Sequence, residues 1–378
     1  MTRENQARKT TNRMLAIIHR GAATNPCRSL FKALATAVFA LGGSASAQTL
    51  SPMLTSGVVF TADEYGSTIS RIELSTGKVI TVPATIEPHN IQIAPDGALL
   101  LAVGIAGPDP ATQTSEQTSD TMAGMAGSDA PGAVVLFDPQ DLTAGPVARI
   151  EVGMHPAHVI TDLEGKRAFV TNAEDDTLSV IDLATRAVIA TIATGDYPHG
   201  QRLSPDGREI MIANVNSGNV SVIDTGTLTE VANIPVGTTP VQVGFLPDGS
   251  RVYVSLRDAN QVAVIDTKTR TVVATVDVGR NPIQVFATPD GRFVYVANQG
   301  SEAYPDDTVS VIEVATNSVV ATIRTGRGAH GVVVSRDGAS AFVTNIFDAT
   351  VAVIDVATQR VIATIPVGKG PNGITYLP

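Results

Sequence analysis

The sequence predicts an all-β fold, a seven-bladed β-propeller of four-stranded antiparallel blades, with the C-terminal strand completing the first blade and closing the ring. Three observations carry this. An apolar run ending in an acid, typified by Asn219-Val-Ser-Val-Ile-Asp224, occurs seven times along the 378 residues. Four of its terminal acids, Asp182, Asp224, Asp266 and Asp355, keep a period of 42 residues once a five-residue insertion before Glu313 is allowed; such a period marks a repeat architecture. Between the copies lie short β-branched runs bounded by Gly, Asp, Asn and Pro, the pattern of antiparallel strands and tight turns, and no helical periodicity is visible after residue 50.

From the N-terminus, the first 47 residues read as an export segment and 48–378 as a single propeller domain. Arg28 and Lys32 flank the start of a short apolar stretch, Ala33 to Leu41, and Ala45-Ser-Ala47 supplies a small-residue cleavage site. The stretch is too short to span a bilayer, so no membrane span is expected after cleavage, and the address is periplasmic or secreted. Seven of the 26 basic and one of the 36 acidic residues lie in this segment, leaving 19 against 35 and a net charge of −16. So acidic a chain repels phosphate backbones, and nucleic acid is not an expected partner. The lone cysteine, Cys27, falls in the same segment. The mature chain has no Cys-x-x-Cys-His and hence no covalent c-type haem, no disulfide and no thiolate metal site.

The repeat unit is clearest in its fourth copy. Pro198 to Ser204 forms a first strand running into a Pro-Asp-Gly turn, Glu209 to Asn214 a second, Asn219 to Asp224 a third, and Glu230 to Val236 a fourth. A blade of this kind has two apolar faces and cannot stand alone; radial stacking buries both. At the chain ends, Gly57 to Ala62, Thr68 to Leu74 and Lys78 to Val82 supply strands two to four of a blade with no first strand. The tail, Gly370 to Pro378, is a first strand with nothing after it. The tail therefore completes the opening blade.

Phe169-Val-Thr-Asn172, Val252-Tyr-Val-Ser255, Val294-Tyr-Val-Ala-Asn298 and Phe342-Val-Thr-Asn345, each followed by the Val-Ile-acid strand, resemble the YVTN-type seven-bladed β-propellers over residues 57 to 378. The resemblance implies the fold and an exported protein. It implies no single activity, because the family includes surface-layer proteins and related propellers occur in nitrous oxide reductase and haem-d-type nitrite reductase.

Function in a repeat scaffold is sought where the repeat breaks. The largest break is a Gly-, Ala-, Ser- and Asp-rich insertion at 105–132 in blade two, read as a flexible loop, with Met122 and Met125 as weak candidate copper ligands. A smaller one, Gly300 to Asp307, places Tyr304 and several acids on the same face as candidate pocket residues. The second departure is histidine. His89, His199 and His330 directly follow the residue that opens an inner strand; His158 comes one place later and His155 one place before its proline. Blades five and six carry Val241 and Ile283 in that slot, and blade one carries Asn372. These positions converge on one mouth of the central channel, giving His89, His155, His158, His199, His330 and Asn372 as ligand-binding candidates. His89, His158, His199 and His330 are candidate ligands for copper or another divalent metal. The acidic turns Asp175-Asp176, Asp258, Asp306-Asp307 and Asp348 are expected to draw cations there.

No metalloprotease, phosphate-loop or nucleophile-elbow motif is present. The expectation is a monomeric binding or scaffold module for a small ligand, metal ion or exported protein partner, with no catalytic residue assigned. The alternatives are a copper-type redox or lyase-like enzyme using the same mouth, and a structural cell-surface protein, although no cell-wall attachment sequence is visible.

Overall fold

The computed structural model describes residues 56–106 and 131–378, all within one unit, Thr49–Pro378. The export segment at 1–47, most of the blade-two insertion, and Met122 and Met125 lie outside the described residues. Among these residues are 28 strands, numbered β1 to β28 in chain order. They form seven four-stranded antiparallel sheets, six of them from four consecutive strands. In the remaining sheet, β28 (Pro371–Leu377) precedes β1 (Val58–Asp63), β2 (Thr68–Glu73) and β3 (Lys78–Pro83). The tail does complete the first blade: Val58 pairs with Leu377 and Thr61 with Ile374. No helix among the described residues is long and apolar enough to cross a membrane.

The inner strand of each blade lines the channel. These are β28 in blade one, then β4 (Ile86–Ile93), β8 (Pro156–Thr161), β12 (Pro198–Leu203), β16 (Pro240–Phe245), β20 (Pro282–Ala287) and β24 (Ala329–Val334). Proline suits the start of such a strand, because the strand's free edge has no neighbour to accept a donated N–H.

Alternation along the repeat sends one residue to each flanking blade, and seven apolar clusters result, one per blade interface. In the third strand of blade two, Val135 and Phe137 pack against Phe60 and Ile69 of blade one, while Val134 and Leu136 pack against Val159 and Val170 of blade three. The closing interface joins Phe342, Val351 and Val353 of blade seven to Val59 and Ile72 of blade one. Each clustered side chain is withdrawn from water, worth about 1.5–3 kcal/mol apiece.

A polar device repeats inside blades three, four and six as well. The asparagine ending the second strand donates through Nδ2 to the third strand: Asn172 to Ser179 at 2.9 Å, Asn214 to Ser221 at 2.8 Å, Asn298 to Ser310 at 3.0 Å. In blade one the residue is Asp63, and the direction is inverted. Its carboxylate accepts from Ser70 at 2.6 Å, Thr61 at 2.7 Å and Thr68 at 3.1 Å. Burial pushes Asp63 up to about 6 despite these bonds.

Two outcomes follow. Removing residues 371–378 strips β1 of its partner and opens the blade-seven interface, so the melting temperature should fall steeply across the whole ring. A truncated protein that melts like the intact one would refute the closure. Asp63→Asn restores the repeat's own residue. Because Asp63 titrates higher folded than unfolded, wild-type stability is fully present below about pH 4 and is lost as the pH rises to about 6. The variant should therefore melt higher than wild type at pH 7, by an amount approaching 2–3 kcal/mol, and the gap should close towards pH 4.

Candidate ligand site at the channel mouth

Every inner strand carries an irregularity in register within its first residues, at the same place in all seven blades. In blade five, Pro240 pairs with Leu256 and Val243 with Val254, so two residues, Val241 and Gln242, oppose one. This is a β-bulge, which re-aims side chains at barrel rims and beside sites. Either bulge residue can turn its side chain into the channel. His89, His199 and His330 stand first in their bulges and His158, Gln242 and Gln284 second, while in blades five and six Val241 and Ile283 line the cavity beside the glutamines. Where the first is used in blades four and seven, the second is glycine.

The bulge brings together what the register argument separates. His89, His158 and His199 are all buried and offer ring nitrogens within 4.8 Å of one another. Their ring centroids stand 5.2 Å (His89 and His199), 5.1 Å (His158 and His199) and 6.0 Å (His89 and His158) apart. His330 shares its slot with His89 and His199 yet faces the same small cavity from beyond the trio. The cavity, about 10 Å³, is lined also by Asn90, Gln242, Gln284 and Asn372. His155 lies a tier above, at the rim, its Nδ1 3.5 Å from Glu174 Oε1 and its ring 6.3 Å from Tyr197.

Hydrogen bonds fix how the imidazoles present themselves. His89 Nδ1 lies 3.0 Å from Glu64 Oε1, and His199 Nδ1 lies 3.2 Å from the Val241 carbonyl. The Val241 carbonyl only accepts, so His199 Nδ1 donates and its Nε2 is free. His89 Nδ1 faces both the Glu64 carboxylate and, at 3.1 Å, the Asn372 amide, and where it donates to Glu64 the neutral ring leaves Nε2 free as well. Those two Nε2 atoms face each other at 3.2 Å. Two lone pairs so close require a proton or a metal between them. The gap is that of an N–H···N hydrogen bond, and it is also close to the separation of about 3.3 Å between two nitrogens held tetrahedrally at about 2.05 Å from zinc. His158 Nδ1 stands a long 3.4 Å from Gln242 Nε2, whose Oε1 is taken by the Val243 N–H; His158 can ligate only by giving up this weak bond, since accepting it leaves the proton on Nε2. His330 Nδ1 donates to the Asn372 carbonyl at 3.2 Å.

Charge is arranged accordingly. Burial, with the neighbouring imidazoles, holds His158 and His199 well below their ordinary value. Burial likewise pushes His330 down to about 4. These three are neutral at pH 7, the form that ligates. His155 is lowered too, by burial first and then by His89, against an opposing pull from Glu174.

The one carboxylate inside the cluster, Glu64, is absent from the sequence-level candidates. Burial alone would raise it, but the electrostatic pull of the adjacent His89 ring and hydrogen bonds from His89 and Asn372 outweigh that and hold it lower. Asn372 Nδ2 donates to Glu64 Oε2 at 2.7 Å. Glu64 sits in a short 3-10 turn after β1, at a place where blades three and four have Ala173 and Val215. Blades five and six carry Arg257 and Gln299 at the same position, so polarity alone does not mark it; its burial does.

Two sequence expectations change. Tyr304 is 74% exposed, because the Gly300–Asp307 insertion lengthens a hairpin out into solvent, Gly300 pairing with Pro305; it lines no pocket with the histidines. The acidic turns are largely spent on structure. Asp175 accepts from the Met154 N–H at 2.7 Å, Asp306 from Arg280 at 2.9 Å and Asp348 from Arg327 at 2.7 Å, each fixing the linker that enters its blade. Arg257 pairs with Asp258 at 2.9 Å.

Comparison with known proteins adds to this geometry. Residues 250–373 match the model of the cytochrome D1 heme domain, and residues 159–248 match that of the YNCE-like beta-propeller. Among solved structures, hydrazine synthase of Kuenenia stuttgartiensis is similar at 20% identity and a TM-score of 0.63, over 77% of this chain and 95% of that one. A functionally unknown protein from Desulfotomaculum acetoxidans aligns at 17% identity and a TM-score of 0.66, over 85% and 99%. Dihydro-heme d1 dehydrogenase NirN in complex with DHE aligns at 14% and 0.58, over 86% and 76%. No relative is found among curated proteins. At these identities the solved structures support the β-propeller fold alone.

The heme-domain match narrows the sequence argument against haem, which concerns thioether attachment only. The described residues do not fit a tetrapyrrole at the histidine ring. The cavity has the room of about one water, and the paired Nε2 atoms face each other, away from any open slot.

Gly200 is the position on which the trio's packing turns. A Cβ there would meet Gln242 Oε1 and the Val241 oxygen, each at 2.4 Å, the second being the acceptor that orients His199. Gly200→Ala should therefore destabilise by about 1–3 kcal/mol, read as a lower melting temperature; an unchanged one would show that the bulge tolerates a side chain.

Proposed function

We propose that the protein is an exported YVTN-type propeller acting as a binding module, and that its channel mouth holds a divalent transition-metal ion, copper or zinc, on His89, His158 and His199. The observation that carries this reading is the 3.2 Å approach of two Nε2 atoms whose Nδ1 partners leave both lone pairs converging. Glu64 supports it as an outer partner: a buried carboxylate on the far nitrogen of a ligating imidazole fixes the tautomer and strengthens the ligand. Three imidazoles leave a fourth position open, towards the cavity that His330, Gln284 and Asn372 line. That position suits an exogenous ligand. The alternative of a redox or lyase-like enzyme takes its support from the match over residues 250–373, and it would show as turnover at the loaded site.

Metal analysis after loading with copper or zinc and desalting should find about one equivalent per chain. His89→Ala and His199→Ala should each abolish retention, while His155→Ala, a tier above, should keep it. Wild-type protein that retains no metal would end the reading.

A further inference from the structure

A second chemistry lies further along the channel, in a residue that the metal reading does not use. Arg202 follows His199 by three positions on β12, roughly 10 Å further along the strand. Its side chain leaves blade four and its guanidinium carbon stands 6.0 Å from the ring centroid of Phe286, on the inner strand of blade six. Blades four and six share no interface. The side chain can reach that ring only through the channel lumen, and it passes Gly244 of blade five, the residue at the same repeat position. The guanidinium is therefore a cation standing in the lumen.

The scaffold does not call for one. The matching residues of the other inner strands are Gln92, Ile160, Gly244, Phe286, Val333 and Thr375, none of them charged. Among the described residues Arg202 has no carboxylate within ion-pair distance; its one hydrogen bond is from Nη1 to the Gln201 carbonyl at 3.0 Å. Burial pushes it down to about 10, and its charge is felt by His158. A partly buried cation without a counter-ion costs stability that any anion would recover. The guanidinium lies over an aromatic ring at cation–π range, and its remaining donors are left to a two-oxygen acceptor.

We propose that Arg202 and Phe286 form an anion subsite in the channel lumen, inward of the histidines, and that it takes a small oxyanion of the carboxylate or phosphate class. Phe286 holds the guanidinium in place by its cation–π contact, Gly244 keeps its path clear, and the ligand accepts two parallel N–H bonds from the fork. The metal reading and this one are independent, and the test is made on metal-free protein so that either fails alone.

Calorimetric titration of the full chain with sodium acetate and, separately, inorganic phosphate, at ionic strength matched with chloride, should show saturable binding. The stronger of the two identifies the oxyanion. Arg202→Gln should weaken it by about 10- to 100-fold, and Arg202→Lys, which keeps the charge without the fork, by less. In crystals soaked with selenate, the anomalous signal should lie against the guanidinium. Absence of saturable binding by both anions, undiminished affinity in Arg202→Gln, or selenate at surface positions as an adventitious ion only would each overturn the proposal. Should Arg202→Gln fail to fold, equal affinity in Arg202→Lys would overturn the bidentate fork.

Discussion

A propeller blade has two apolar faces and no outside on which to hide either, so every element of this protein depends on the ring being shut. Six of the seven blades are built from four consecutive strands. The seventh exists only because β28 leaves the end of the chain to pair with β1. Phe342 and Val353 then find Val59 and Ile72. Closure is a non-local contact, costly in chain entropy, and it is bound by backbone ladders and by packing, since the domain has no thiol with which to fasten it.

The same closure assembles the channel mouth. Glu64 comes from the turn after β1, His89 from blade two, Asn372 from the last strand, and their hydrogen bonds run across the junction where the chain's ends meet. On the far side, His199 and His158 arrive on consecutive inner strands. What converts seven parallel strand starts into a binding geometry is the bulge at each of them. A regular strand would present every second residue to the channel; the bulge lets each blade choose between two, and glycine beside histidine is the trace of that choice. The channel is thus layered: a rim with His155 and Tyr197, a ring of imidazoles and amides, and Arg202 beyond. Each layer has its own chemistry on one repeated backbone.

Most of the fold could be read from residues. The spacing of Asp182, Asp224 and Asp266 sets the blade count, and the unmatched strands at the two ends predict their union. The site was legible in outline, because histidines stood out against a repeat that packing explains. Its inner arrangement was not. Alignment by repeat position groups His330 with His89 and His199 and sets His158 aside, whereas the bulge admits His158 and leaves His330 facing the trio; register shifts leave no mark in composition. Glu64 escaped because acids are frequent in turns, and only its burial tells it from Glu174. Arg202 escaped because its significance is an absence of neighbouring carboxylates, which a linear sequence does not display. Asp175, Asp306 and Asp348 erred the other way, looking like free charge when backbone N–H groups consume them.

The meeting of Glu64, His89 and Asn372 has a temporal meaning. During synthesis the first two are made early and the third only when residue 372 is added, so the arrangement around His89 cannot exist on a nascent chain. A polypeptide still emerging can carry all three imidazoles of the trio, but not the Asn372 amide that holds the far oxygen of Glu64. The hydrogen-bonded shell around His89 is complete only after the last strand has docked. The environment of His89 therefore reports that the ring has closed, one event that a chain still lacking its end cannot mimic.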